Sequence, residues 1–260
     1  LLRCGYTTGT CAALGAAGAA RLLLTGKALE VENVMYFLAD YCIERDHYYY
    51  GLWRNTLPLP AAAAYATAAR QLNGAKAHRT VSAGEVQCFT FLRGDGKPMA
   101  AVWSDRETPF DMELAVSPAE LEIRDMLGNP VSVEPAPATR LRISGKPLYL
   151  ISQNSDADQF TALLAAAKVD LPPARCVWRL LNDRCVTLLL TNERAVELEA
   201  TVKLSGAPFA GAERVVKLSP GRSTELQFES TKSLNNRPLV MELTGNLGSQ
   251  RDTYRADLLP

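Results

Sequence analysis

The stretch from Pro58 to Ser104 constrains the fold most, because the hydrophobic period changes inside it. It opens with an alanine-rich run of helical character, Pro60-Ala-Ala-Ala-Ala-Tyr65-Ala-Thr-Ala-Ala-Arg70-Gln-Leu72, which stops at Asn73-Gly74. Val86-Gln-Cys-Phe-Thr-Phe-Leu92 then alternates with period two, Gly94-Asp-Gly96 turns, and Pro98-Met-Ala-Ala-Val-Trp103 returns. Alternation predicts strands half buried on one face, and Asp-Gly between two such runs is a strong short-range hairpin signal. Upstream the pattern is helical; downstream it is almost wholly strand. A border between two kinds of structure is therefore expected between Lys76 and Gly84.

Ahead of that border, Gly5-Tyr-Thr-Thr-Gly-Thr10 reads as a capping loop leading into a small-residue helix from Cys11 to Leu24, which ends at Thr25-Gly26. The threonines can accept hydrogen bonds from the free N–H groups of a first turn. Asn33-Val-Met-Tyr-Phe-Leu-Ala39 is a continuous apolar run of strand length, suited to a parallel strand buried on both faces. Tyr41 to Leu57 reads as an irregular loop carrying His47-Tyr-Tyr-Tyr50-Gly-Leu-Trp53. Helix, strand, loop and helix make a piece of an α/β repeat, and one piece cannot form a sheet. Either its other strands lie outside this chain, or it docks onto the β-rich part. An unpaired strand from Val34 to Ala39 would offer a surface for self-association.

After the hairpin, strands are expected at Phe110 to Val116, Leu121 to Asp125, Val131 to Val133, Thr139 to Ile143 and Pro147 to Ile151. Asn154 to Asp158 reads as a linker before a short helix around Gln159 to Lys168. Strands follow at Cys185 to Thr191, Val196 to Leu204, Val215 to Leu218, Ser223 to Phe228, Leu239 to Leu243 and Tyr254 to Leu258. Short strands with regular turns indicate antiparallel sandwiches. The expected class is α+β: an N-terminal α/β remnant over residues 1–78, a β-sandwich over 79–153, and a second, immunoglobulin-like sandwich over 154–260.

Composition narrows the function. Lys plus Arg and Asp plus Glu both number 28, so the chain lacks the basic field that nucleic-acid backbones select. It has no run of about 18 apolar residues to span a membrane. The six cysteines, Cys4, Cys11, Cys42, Cys88, Cys176 and Cys185, contain no Cys-x-x-Cys pair. Buried free thiols are the expected reading, with Cys176 facing Cys185 across a hairpin as the alternative. No His, Asp or Glu cluster has metal-ligand spacing, so no metal or cofactor is assigned. The chain opens on Leu1 rather than Met, which leaves the residues ahead of it open, a signal peptide included.

Asn33-Val-Met-Tyr-Phe-Leu-Ala-Asp40, Tyr50-Gly-Leu52, Pro58-Leu-Pro60 with Ala64-Tyr65, and Leu72-Asn-Gly-Ala75 together resemble the end of a (β/α)8-barrel glycoside hydrolase. Val86 to Phe91, Lys97 to Ser104, Asp125 to Pro130 and Ser144 to Leu150 are similar to the accessory β-sandwich that follows such barrels. Leu59 departs from the pattern, where the proline motif has lysine. The resemblance implies that Gly5 to Thr8 follow strand seven and that the two catalytic glutamates, at the ends of strands four and seven, precede Leu1. Glu30, Glu32 and Glu44 are then solvated surface residues. The chain itself would hydrolyse nothing. It would be the C-terminal portion of a carbohydrate-related protein, extracellular or periplasmic, with Tyr6, Asp40, Tyr50 and Trp53 as the residues nearest a sugar. Trp103 and Trp178 are expected in the core.

Leu2 to Ala13 also resembles the N-terminal "GYTTGTCAAAA" signature of cobalt-precorrin-5B C1-methyltransferases. That resemblance implies S-adenosylmethionine, a corrinoid substrate, and Thr7, Thr8, Gly9 and Thr10 near the ligand. It covers about 30 residues, and later signatures of that family are absent. A non-catalytic β-sandwich binding protein is the third reading.

Overall fold

A computed structural model describes residues 8–32, 34, 42–44, 48–50, 52–54, 57–106, 109–206, 209–234 and 237–256. The chain forms two compact units, one of them spanning Gly9–Asp170. The first contains α1 (Thr8–Ala28), the hairpin of β1 (Cys42–Glu44) with β2 (Tyr48–Tyr50), the hairpin of β3 (Trp53–Arg54) with β4 (Leu57–Pro58), and α2 (Pro60–Leu72). It continues with β5 (Lys76–Ala83), β6 (Val86–Leu92), β7 (Pro98–Trp103), β8 (Phe110–Leu114), β9 (Leu121–Arg124), β10 (Thr139–Ile143), β11 (Leu148–Ser152), α3 (Ala157–Ala165) and β12 (Lys168–Asp170). The pairings are antiparallel, in the orders β5-β6-β7-β11-β9 and β10-β8-β12.

Helices α1 and α2 dock on one face of the five-stranded sheet. Ala16, Ala20, Leu24, Ala64 and Ala68 share a core with Phe89, Phe91, Met99, Trp103, Tyr149 and Ile151. Alanine side chains let the helix backbones lie close to the sheet, so the large residues of the sheet fill the layer. Helix α3 packs against β5, β6 and β7, with Thr161 Oγ1 3.4 Å from Thr90 Oγ1. Cover on two sides leaves β7 buried at all six positions. A capping box starts α3: the Asp156 carboxylate accepts from the Gln159 N–H at 2.8 Å, and the Gln159 side chain accepts from the Asp156 N–H at 3.3 Å.

The second unit holds β13 (Arg175–Asn182), β14 (Cys185–Thr191), β15 (Leu198–Gly206), β16 (Phe209–Leu218), β17 (Ser223–Glu229), β18 (Arg237–Gly245) and β19 (Gly248–Ala256). They form two antiparallel sheets, β13-β14-β17 and β16-β15-β18-β19. Trp178, Val186, Leu188, Leu190, Val202, Leu204, Phe228, Met241 and Leu243 fill the core. β15 shows the rule behind it: Leu198, Ala200, Val202 and Leu204 point inward while Glu199 and Lys203 stay exposed.

Several local expectations are corrected. Helix α1 starts at Thr8, inside the segment read as a loop, and runs to Ala28. Within the span read as an irregular loop, residues 42–44 pair with 48–50, and 53–54 with 57–58. Val131 to Val133 forms no strand; Val131 N–H donates to Ile123 C=O beside an isolated Arg124–Pro130 bridge. Cys176 pairs with Leu190 and Cys185 with Asn182, so the two cysteines do not face each other. Cys88 and Cys185 are buried free thiols, and Cys176 is buried. Residues 35–39 of the expected Val34-to-Ala39 strand lie outside the described residues.

Candidate functional site

The segment between α1 and α2 carries three of the four residues that sequence assigns to a sugar. Tyr6 and Asp40 lie outside the described residues. Tyr50 closes β2, opposite Cys42 in the register. Trp53 is placed most fully. It stands opposite Pro58 in the β3–β4 hairpin, with Arg54 opposite Leu57. Directly opposite residues share a face, so Trp53 and Pro58 lie on one face of the hairpin.

Prolines end the hairpin: Pro58 is the last residue of β4, and Pro60 follows directly after Leu59. Leu59 N–H donates to Leu52 C=O at 2.8 Å and closes its base. Pro60 then opens α2, where its fixed φ suits a first turn and its missing N–H costs nothing. The result holds Trp53 44% exposed and Leu57 69% exposed. An exposed indole offers a flat apolar surface and an N–H donor, the two features that C–H faces and hydroxyls of a sugar require.

The other two tryptophans are structural. Trp103 stacks on Phe89 with ring centroids 4.8 Å apart and an interplanar angle of 17°. Trp178 is buried in the second unit and donates through Nε1 to Asp252 at 3.1 Å.

A second surface was not singled out from sequence. Asp111, Glu113, Arg140, Lys168, Val169 and Asp170 line an open depression of about 240 Å³ on the sheet β10-β8-β12. Asp111 accepts from Arg142 at 3.1 Å and lies 3.5 Å from Arg140, while Lys168 lies 3.7 Å from Glu113. Its signal is the charge at alternate positions in Asp111-x-Glu113, Arg140-x-Arg142 and Lys168-x-Asp170. These solvent-exposed pairs are individually weak and its lining contains no aromatic ring, so it offers hydrogen bonds without a stacking surface.

Burial pushes the Cys88 thiol up to about 12, only partly offset by a hydrogen bond with the Ala83 backbone, which makes it a poor nucleophile. Among the described residues, no group of three or more His, Cys, Asp or Glu is placed to hold a metal ion. Among them also, no helix is long and apolar enough to cross a membrane.

No family model matches the sequence, and no curated protein matches it. Among solved structures, the fold is similar to a family 39 glycoside hydrolase from the gut symbiont Bacteroides cellulosilyticus WH2, at 19% identity and a TM-score of 0.44, over 53% of this chain and 30% of that one. A GH2 beta-galacturonidase from Eisenbergiella tayi aligns at 12% identity and a TM-score of 0.26, over 61% of this chain and 35% of that one. Red sea bream transglutaminase aligns at 10% identity and a TM-score of 0.26, over 75% and 33%. The chain spans about a third of the length of each of these proteins. Glycoside hydrolases are thus among its structural neighbours, at low scores and over part of each chain.

Proposed function

We propose that this chain is the C-terminal portion of a glycoside hydrolase-like protein and contributes carbohydrate binding rather than hydrolysis. The observation that carries the reading is the exposed Trp53–Pro58 face, presented by a hairpin directly ahead of α2. The order of the barrel-end and accessory-sandwich motifs along the first 150 residues supports it. So does the shared core in which α1 and α2 dock on β6, β7 and β11. On this reading Trp53 stacks on the sugar ring, and Tyr6, Asp40 and Tyr50 supply further contacts. No catalytic residue is assigned within the chain. The second sandwich is immunoglobulin-like in this reading, its seven strands dividing as first, second and fifth against fourth, third, sixth and seventh.

The test is a glycan array probed with the 260-residue chain, together with a panel of aryl glycosides. Retention of at least one glycan class without turnover of any glycoside is expected. No retained glycan, or measurable turnover, would overturn the proposal.

A further inference from the structure

We propose that β16 is a dimerisation edge, pairing antiparallel with β16 of a second copy of this chain about a two-fold axis at Val215. β16 is the outermost strand of β16-β15-β18-β19, and among the described residues no strand pairs with its free side. It is 10 residues long, and Val215 is 84% exposed. A long edge with an exposed apolar centre is a template for another strand.

The charge pattern selects the occupant. Outward-facing side chains form rows across the sheet. Arg251, Glu242, Lys203 and Glu213 follow one another on β19, β18, β15 and β16, alternating in sign and ending in a negative charge at the edge. The next row, Ser249, Thr244, Thr201 and Val215, is uncharged. In the row after it, Glu199 faces Lys217, which ends in a positive charge. Placing Val215 opposite the second copy's Val215 sets Glu213 opposite the second copy's Lys217, and the reverse. Both charged rows then continue across the axis with alternating sign.

The neighbouring registers are less favourable. An axis at Glu213 or at Lys217 puts like charges opposite each other. An axis at Arg214 or Val216 faces Val215 with a charge. Parallel pairing brings each charge near its own copy. A self-complementary edge fits an isologous dimer.

Lysines and inward-pointing charges commonly guard an edge. Here Lys217 Nζ already lies 3.1 Å from Glu197 and also pairs with Glu199, so its charge is matched within its own chain. Arg214 lies over the Phe228 ring at 5.7 Å, against the other sheet of the sandwich rather than across the edge.

The experiment is sedimentation velocity of the full chain over a concentration series, alone and with Glu213→Lys, Lys217→Glu and their equimolar mixture. Each variant alone places like charges opposite each other at both outer positions, whereas the mixture restores opposite charges at both. A concentration-dependent dimer is expected for the parent chain, at least about tenfold weaker in either variant. A label on one variant should report a mixed dimer of near-parent affinity, and Val215→Lys should abolish pairing with the parent circular dichroism retained. A parent chain that stays monomeric at every concentration, or mixed variants that associate no better than each alone, would overturn the proposal.

Discussion

The guanidinium of Arg21 lies 5.7 Å from the centroid of the Trp103 ring, and this contact ties α1 to the end of β7. Arg21 also donates to the Asp105 carboxylate at 2.7 Å and to the Ser104 C=O at 3.1 Å. Burial pulls its pKa down and Asp105 raises it, yet an arginine stays charged at any working pH. Arg21→Ala should therefore lower stability by about 1–2 kcal/mol, from the lost ring contact and the lost hydrogen bonds together. Arg21→Lys should recover only part of that, since a single ammonium cannot reproduce the two-nitrogen fork that reaches both Asp105 and the Ser104 C=O. Urea denaturation followed by fluorescence measures both; an unchanged midpoint in Arg21→Ala would show that the contact contributes nothing.

Tyr149 poses the opposite case. Its ring is fully buried, and among the described residues its hydroxyl has no hydrogen-bond partner. Burial first, and the Asp125 charge second, push its pKa upward. Tyr149→Phe removes an unsatisfied polar atom and should leave stability unchanged or raise it by up to about 1 kcal/mol. A loss larger than that would place a hydrogen-bond partner beside the hydroxyl.

Alkaline pH should weaken the fold through Cys88. Its folded pKa, about 12, exceeds the model-compound value of 9.0, so between these values the unfolded thiol ionises and the folded one does not. The contribution is therefore complete below pH 9 and falls as pH rises towards 12, by at most about 1.4 kcal/mol per pH unit. Denaturation midpoints from pH 8 upward should fall less steeply in Cys88→Ala than in the parent chain. Equal slopes would contradict this assignment.

Gly245 sits opposite Ala200 where β15 and β18 pair. A Cβ there would stand 2.2 Å from the Glu199 C=O and 2.7 Å from the Ala200 Cβ. A backbone oxygen at that distance can yield only by shifting the strand. Gly245→Ala should cost about 2–3 kcal/mol, read as a fall in thermal midpoint. Full tolerance would mean that the two strands can separate there without loss.

Much of the fold was legible where one physical signal stood alone. The β6–β7 hairpin follows from alternation plus Asp-Gly, and α2 follows from its alanine run between Pro60 and Asn73. In the second unit, β14, β15, β17 and β18 follow from inward-facing residues such as Val202 and Leu204, whereas β13 (Arg175–Asn182) has no counterpart among the expected strands. β5 was missed because an edge strand, Lys76-Ala-His-Arg-Thr-Val-Ser-Ala83, carries exposed and half-buried residues without a clean period. β12 was too short to show any period. The short hairpins around Tyr50 and Trp53 escaped notice because two- and three-residue strands hold by backbone pairing, which side-chain pattern does not report. Of the candidate site, sequence marked Trp53 as an aromatic outside the core. Its pairing with Pro58 is a property of register, visible only in the folded chain.

Carbohydrate binding at Trp53 can be read from intrinsic fluorescence. Trp53 is 44% exposed, whereas Trp103 and Trp178 are 2% and 9% exposed, so a change on adding sugar reports the hairpin. The decisive measurement is a fluorescence titration of the whole chain with the glycans an array retains, repeated on Trp53→Phe and Trp53→Ala. A saturable blue shift in the parent chain is expected, with its fluorescence signal lost in both variants. Glycan affinity measured by calorimetry should fall at least tenfold in Trp53→Ala, as expected from loss of about 1.4 kcal/mol of stacking. A parent chain whose emission is indifferent to every glycan, or a Trp53→Ala variant that binds as tightly as the parent, would contradict the proposed site.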